Sequence, residues 1–209
     1  MLSRVLSTLI GYVLGCFLTA ELVARKFAGK PAAELGETGN PGMANIMASL
    51  GFVPGILTLL GDILKCVIAM VLSRLLFPET GRIVMMYAGL GCTLGHDFPF
   101  WRKFKGGKGV ATSSAVIVVY SFLWGLLANI AGMLVTFATK YLCIAGPVIP
   151  LFFMAFMFIK GDTEAGVISA VLSALALLCH LPSVFGIFKG TTSQTDVLGA
   201  IAKKFKKKK

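Results

Sequence analysis

Long apolar runs separated by short polar breaks constrain this chain more than any other feature. A helix of about 20 apolar residues spans the hydrocarbon core of a bilayer, and shorter helices suffice where the membrane is thinner. Only 14% of the 209 residues are charged, whereas soluble domains have roughly a quarter. The sequence therefore predicts an all-α polytopic membrane protein, and excludes a soluble globule or a disordered chain. The runs cover roughly residues 2–24, 52–77, 83–95, 110–138, 142–159 and 165–181.

The net charge of +11 is unevenly distributed. Basic residues concentrate in the loops 25–45 and 98–109 and in the tail, where six of the last seven residues are lysine. The breaks at 78–81 and 160–164 carry acidic residues instead. Because positive charge marks the cytoplasmic side, both basic loops and the tail are predicted to be cytoplasmic. The bases do not cover a folded polar face, so nucleic acid is not expected as a partner, and the tail is expected to contact anionic lipid.

The run 110–138 decides the predicted number of crossings. As one crossing, it would place Lys140 and the tail on the side opposite to the basic loops. Two short crossings that turn near Tyr120 and Ser121 return both to the cytoplasm. The prediction is therefore about seven short transmembrane helices, with the amino terminus outside and the carboxyl terminus in the cytoplasm.

The chain shows no sign of a second domain, a repeat or a disulfide framework. Its five cysteines occur singly in or beside apolar runs, without a CxxC pair, and are expected to be small buried hydrophobes. The first span has no clear small-x-small cleavage site, so a retained helix is favoured over a signal peptide. Residues 1–190 are predicted to form a single membrane domain, and residues 191–209 a polar, lysine-rich cytoplasmic tail.

The first basic loop contains a cluster of glycine and small polar residues. Asparagine and glycine permit left-handed backbone conformations, in which successive N–H groups can converge on an anion. An ordinary interhelical turn explains the same residues equally well. The candidate substrate-binding residues in this loop are Thr38, Asn40, Gly42 and Asn45.

The second basic loop interleaves glycines with lysines. Glycine lets the backbone approach a phosphate group, lysine supplies positive charge, and the following helix directs the positive end of its dipole to the same place. The alternative is a juxtamembrane segment whose bases face anionic lipid and whose aromatic residues, such as Trp101, anchor it at the interface. The candidate phosphate-binding groups are the lysines and the glycine amides at Lys105, Gly106, Gly107, Lys108 and Gly109.

Ionisable residues also occur within or at the ends of the apolar runs. Asp62 and Lys65 lie three residues apart on one helical face, so we expect them to neutralise each other as a structural pair. His96 and His180 lie at predicted cytoplasmic helix ends. Each is a candidate general base or a hydrogen-bonding cap.

These segments resemble the bacterial integral-membrane acyl-phosphate:glycerol-3-phosphate acyltransferases over nearly the whole chain. Residues 95–112 are similar to the second signature of that family almost residue for residue, and residues 39–42 with Asn45 match part of the first. His180 and Gly190 match part of the third. The resemblance implies a compact seven-helix fold in the bacterial cytoplasmic membrane, an active site at the cytoplasmic face, and no metal or nucleotide cofactor.

Several positions depart from the pattern of the family. Ala48 stands where an arginine normally helps to hold the substrate phosphate, and a bidentate anion ligand is therefore absent at that position. Pro182 and Ser183 stand where glutamate and asparagine are expected. Arg102 and Lys103 are candidates to replace the missing guanidinium group.

The resemblance implies transfer of a fatty acyl group from acyl phosphate to glycerol 3-phosphate, which forms lysophosphatidic acid for phospholipid synthesis. In this hypothesis the lysine loop binds phosphate, Thr38, Asn40 and Asn45 orient the polar head, and His180 is the side-chain base. Direct transfer is favoured over an acyl-enzyme because no serine or cysteine with a partner base is evident. Two alternatives are a non-catalytic homologue that binds phosphate or lipid, and an acyltransferase with a different acceptor.

Overall fold

The computed structural model describes residues 1–36, 38–192 and 194. In this part of the chain all regular secondary structure is helical, with nine α-helices and three short 3-10 helices joined by turns and by two longer loops, 29–42 and 98–109. Most of the predicted tail, 191–209, lies outside the described residues. The helices are α1 (Leu2–Gly15), α2 (Thr19–Ala28), α3 (Met43–Leu50), α4 (Phe52–Leu76), α5 (Ile83–Asp97), α6 (Val110–Tyr120), α7 (Phe122–Thr139), α8 (Leu142–Ile159) and α9 (Thr163–Phe188).

Within the described ranges, five helical segments are long and apolar enough to cross a membrane. Large apolar side chains such as Leu60, Leu64 and Leu75 on α4 point away from the bundle and are more than half exposed. A surface of this kind is stable against lipid and would aggregate in water. The five segments are Leu2–Ala28, Phe52–Leu76, Phe122–Thr139, Leu142–Ile159 and Thr163–Phe188.

The apolar run 110–138 is divided into two helices, as its length and the charge distribution predict. Ser121 is extended and separates α6 from α7. The backbone of Gly125 on α7 lies against α6, where a Cβ atom would come within 2.6 Å of Val118 Cα. This close approach needs a glycine and lets the two helices fold back on each other.

The first apolar run is interrupted, which its sequence does not predict. α1 ends at Gly15, Leu18 is extended, and α2 begins at Thr19. A helix that ends leaves its last carbonyl groups without intrahelical partners. The partners of these carbonyls belong to the candidate site described below.

α1 and α5 are in backbone contact. A Cβ atom at Gly11, Gly15, Gly91 or Gly95 would overlap a backbone carbonyl oxygen of the other helix. On each helix the two glycines are four residues apart, a spacing that lets membrane helices approach closely. This contact places the carboxyl-terminal end of α5 beside the end of α1.

Side-chain contacts show which interhelical turns lie at the same end of the bundle as the start of α1. The hydroxyl oxygens of Ser3 and Thr80 are 2.7 Å apart. The guanidinium group of Arg4 donates to both carboxylate oxygens of Glu164 at the start of α9. The loop 98–109 lies at the opposite end of α5, which we call the loop end of the bundle.

Candidate active site

The glycine-rich loop folds back onto the end of α5. The amide of Gly106 donates to the carbonyl oxygen of Asp97 and the amide of Gly107 to that of His96, both at 2.9 Å. These bonds satisfy two of the carbonyl groups that the end of α5 leaves open. Both amides are therefore already engaged, and the predicted use of these two groups as phosphate donors is not supported.

Close packing explains why glycines occur at these positions. A Cβ atom at Gly106 would overlap the carbonyl oxygen of His96, and one at Gly107 would overlap the His96 imidazole ring. Gly109 has φ +68°, and a Cβ atom there would lie 2.7 Å from a carboxylate oxygen of Asp97. The glycines thus allow the loop to pack against the last residues of α5.

Lys108 connects this loop to the last helix. Its Nζ atom donates to Ser183 Oγ at 3.0 Å. Ser183 follows His180 by three residues and therefore lies on the same face of α9. The structure thus brings Lys108 and His180, both predicted site residues, to one place, whereas Lys105 is exposed. Ser183 supplies the oxygen that Lys108 contacts.

His180 is held in one orientation. Its side chain is buried, and Nδ1 lies 2.7 Å from the carbonyl oxygen of Ala176. A carbonyl oxygen only accepts, so Nδ1 carries the proton and Nε2 of the neutral ring can take one up. Gly146 on α8 packs against the ring, where a Cβ atom would lie 2.7 Å from Cε1. This geometry suits a general base.

The predicted pair of Asp62 and Lys65 is confirmed and belongs to a larger cluster. Lys65 Nζ lies 3.0 Å from Asp62 Oδ1, and the two side chains are only 5% and 2% exposed. Thr19 also donates to Asp62, and Lys65 Nζ lies 2.8 Å from Nδ1 of His96. Because an ammonium group only donates, His96 Nδ1 is an acceptor here and the ring proton is on Nε2. Of the two roles considered for His96, this arrangement supports the hydrogen-bonding one.

Two aromatic residues fix the loop to α1. Tyr12 donates from its hydroxyl group to the carbonyl oxygen of Phe98 at 2.9 Å. Trp101 donates from Nε1 to the carbonyl oxygen of Cys16 at 2.8 Å. The sequence indicates Trp101 only as an interfacial anchor, and these specific partners could not be read from it.

Asp97 was not predicted as a site residue. Its side chain is buried, Oδ2 lies 3.6 Å from Cys179 Sγ, and Oδ1 has no hydrogen-bond partner among the described residues. Asp97 thus contacts the residue that precedes the predicted base on α9. The sequence feature that could have indicated Asp97 is a carboxyl group next to a histidine at the end of an apolar run.

The candidate residues of the first loop mainly contact one another. Thr38 donates to Asn45 Oδ1 at 3.3 Å, and Asn45 donates from Nδ2 to the carbonyl oxygen of Leu35 at 2.9 Å. The amide of Gly42, just before α3, donates to the carbonyl oxygen of Asn40. In the described ranges no hydrogen bond joins this loop to the lysine-containing loop.

Within the described ranges, Arg102 has a side-chain donor that is free to bind an anion, whereas Ala48 has none. Ala48 is exposed on α3 and offers no anion ligand. Arg102 Nη1 is buried without a hydrogen-bond partner in the described part of the chain. An unpaired buried donor costs roughly 1–3 kcal/mol. Arg102 is therefore a basic side chain of this loop that an anionic ligand would stabilise.

Comparison with known proteins identifies the family of this chain. The family described as glycerol-3-phosphate acyltransferase matches residues 5–190. The glycerol-3-phosphate acyltransferase 1 of Lactobacillus acidophilus is 40% identical over 203 residues, 97% of each chain. The glycerol-3-phosphate acyltransferase of Thermoanaerobacter pseudethanolicus is 32% identical over 193 residues, 91% of this chain and 94% of the relative.

A solved structure has the same fold. The crystal structure of PlsY (YgiH), an integral membrane glycerol 3-phosphate acyltransferase in its glycerol 3-phosphate form, is similar with a TM-score of 0.81 and 26% identity. The similarity covers 95% of this chain and 98% of that one. Fold and sequence together define a multi-pass membrane acyltransferase, which confirms the predicted all-α membrane fold. The chain belongs to the glycerol-3-phosphate acyltransferase family of phospholipid synthesis.

Proposed function

We propose that this chain transfers a fatty acyl group from acyl phosphate to glycerol 3-phosphate at the cytoplasmic face of the bacterial inner membrane. The observation that carries the proposal is the contact between Lys108 and Ser183, which places a loop cation one helical turn from His180. Relatives named as glycerol-3-phosphate acyltransferases, and a similar structure described as the glycerol 3-phosphate form, support the acceptor.

Each side chain has a stated part in this reaction. Lys105, Lys108 and Arg102 bind phosphate oxygens, and His180 Nε2 takes the proton from the attacking hydroxyl group. The hydroxyl oxygen forms a bond to the acyl carbon, the bond from that carbon to the phosphate oxygen breaks, and inorganic phosphate leaves. Holding both reactants at one interface lowers the activation barrier by several kcal/mol, about the scale seen in well-oriented intramolecular reactions.

The first loop is proposed to orient the polar head of the acceptor through Thr38, Asn40, Gly42 and Asn45. The hydrogen bonds among these residues give the loop a fixed shape, which supports a binding role. The amide of Gly109 and the first turn of α6 add positive potential beside Lys108.

Seven membrane crossings with an external amino terminus remain our proposal for the topology. The division at Ser121 supports it, because α5 and α6 then join the five longer segments as short crossings. We also propose that residues 1–190 form one membrane domain and that the lysine tail contacts anionic lipid of the inner leaflet. A tag on the carboxyl terminus should be protected from external protease in intact cells, and cleavage of an external tag would overturn this topology.

The reaction is tested with purified protein and palmitoyl phosphate, with and without glycerol 3-phosphate. We expect phosphate release that depends on the acceptor, together with lysophosphatidic acid detected by mass spectrometry. A relative of the family, assayed in parallel, shows that the conditions support turnover. Release with glycerol but not with glycerol 3-phosphate would identify a different acceptor, which the exposed Ala48 favours. No release with either would support a non-catalytic homologue.

A further inference from the structure

At the break between α1 and α2, three successive backbone carbonyl groups accept hydrogen bonds from side chains of other segments. Lys65 Nζ donates to the carbonyl oxygens of Gly15 at 3.2 Å and Phe17 at 2.8 Å. The carbonyl oxygen of Cys16, between them, accepts from Trp101 in the glycine-rich loop. A free carbonyl group is costly in a membrane. Lys65 therefore caps the end of α1 from the middle of α4.

The same ammonium group reaches the glycine-rich loop through His96. Lys65 Nζ contacts His96 Nδ1 at 2.8 Å, and the opposite edge of that ring lies against Gly107, where a Cβ atom would overlap Nε2. Asp62 neutralises the charge. A continuous series of contacts thus joins the end of α1 to the turn that precedes Lys108.

A role limited to charge neutralisation would not require this arrangement. A buried ion pair needs only its two partners, and replacing such a pair by apolar residues is often neutral for stability. Lys65 instead meets four acceptors, which belong to the α1–α2 break, α4 and α5. An ionisable residue held at membrane depth by groups from several helices indicates function.

We propose that Lys65 is a positioning residue for acyl transfer, and this inference rests on the proposed function. Lys65 holds the His96 ring against Gly107 and the end of α1 beside Trp101. These two contacts set the position of the glycine-rich loop, and through it the distance of Lys108 from His180. Lys65 acts through these residues and does not itself touch the reacting groups.

Two substitutions of His96 separate its contacts. His96→Asn places an amide oxygen near the position of Nδ1 and keeps an acceptor for Lys65. His96→Gln reaches the position of Nε2 and removes that acceptor. We expect kcat to fall about tenfold or more in His96→Gln, the scale of one charge-assisted hydrogen bond, and to fall also in His96→Asn, whose shorter side chain no longer reaches Gly107. A kcat equal to wild type in either variant would overturn the proposal.

Lys65 itself is tested in a variant without an unpaired charge. Lys65→Gln combined with Asp62→Asn removes both charges together and avoids a lone buried carboxylate. We expect a loss of kcat similar to that of His96→Gln. Arg4→Gln is the matched control, since it breaks a charged pair at the opposite end of the bundle. It should lower the thermal midpoint but keep kcat per folded molecule.

A second measurement does not depend on turnover. Lys103 and Lys105 are exposed in the loop and are sites for trypsin. Cleavage in this loop should be faster in His96→Gln and in His96→Asn than in wild type, and unchanged in Arg4→Gln. A wild-type protein without acyl transfer would refute the proposed function, while the cleavage rates would still test the link from Lys65 to the loop. Equal cleavage rates in wild type and His96→Gln would refute that link.

Discussion

Lys108 and Ser183 are joined by a 3.0 Å hydrogen bond from Nζ to Oγ, although 75 residues separate them in the chain. The bond links the glycine-rich loop to α9 one turn after His180. It gives the cation a fixed place beside the proposed base. A lysine in a solvated loop would lose much side-chain freedom on binding an anion, and this lysine is already partly ordered.

Lys108→Ala should lower kcat/KM about a hundredfold or more, equivalent to about 3 kcal/mol, because a phosphate oxygen loses its cation. Lys140→Gln is the control, since Lys140 is exposed outside the loop 98–109 and has the same charge. Phosphate release from palmitoyl phosphate measures both variants. Wild-type rates in Lys108→Ala would remove the loop cation from the mechanism.

His180→Asn should lower kcat at least about a hundredfold, as expected when a general base is lost. The asparagine amide can still donate to the carbonyl oxygen of Ala176, as Nδ1 does now, but it has no equivalent of Nε2. The thermal midpoint in detergent should therefore change little. If kcat is retained, the proton goes to another group, such as the phosphate of the substrate.

Gly107→Ala should be rescued by trimming His96. The alanine Cβ atom would overlap the imidazole ring, and overpacking of this kind costs about 1–3 kcal/mol of folding free energy. His96→Asn removes that part of the ring and makes room for the methyl group. The double variant should therefore be more stable and more active than Gly107→Ala alone, with a coupling above about 0.5 kcal/mol. Additive effects in thermal unfolding would show that the two residues do not touch.

Gly91→Ala should destabilise the bundle strongly. Its Cβ atom would overlap the carbonyl oxygen of Thr8, and a backbone group cannot move aside without shifting α1. Gly166→Ala is a matched control, because its Cβ atom would meet only the ring of Phe158 at 2.9 Å. We expect a loss of about 1–3 kcal/mol or more in Gly91→Ala and a smaller one in Gly166→Ala. Thermal unfolding in detergent measures the difference, and equal midpoints would contradict the backbone contact.

The features that could be predicted from the sequence depend on local spacing. Apolar length gives the membrane helices, and the positive-inside rule places a turn near Ser121, where the structure has it. The pair of Asp62 and Lys65 follows from a separation of three residues on one helix. The resemblance to the family predicts His180 and Lys108 as site residues, and the contact of Lys108 with Ser183 brings them near each other.

The features that could not be predicted depend on contacts between distant segments. An apolar run gives no sign that α1 ends at Gly15, because the carbonyl groups freed there are satisfied by Lys65 and Trp101, far away in the chain. The pattern of glycines and lysines predicts amide donors for phosphate. The amides of Gly106 and Gly107 instead close the end of α5, a competition between ligand and backbone that spacing alone does not reveal.

The backbone contact between α1 and α5 has a mechanical consequence. An interface lined by side chains can absorb a displacement through rotamer changes, but one formed by glycine and carbonyl groups has no such freedom. A movement of α1 along its axis is therefore transmitted to α5 and to the loop that follows it. Changes in membrane thickness that shift or tilt the first helix should therefore also displace the glycine-rich loop.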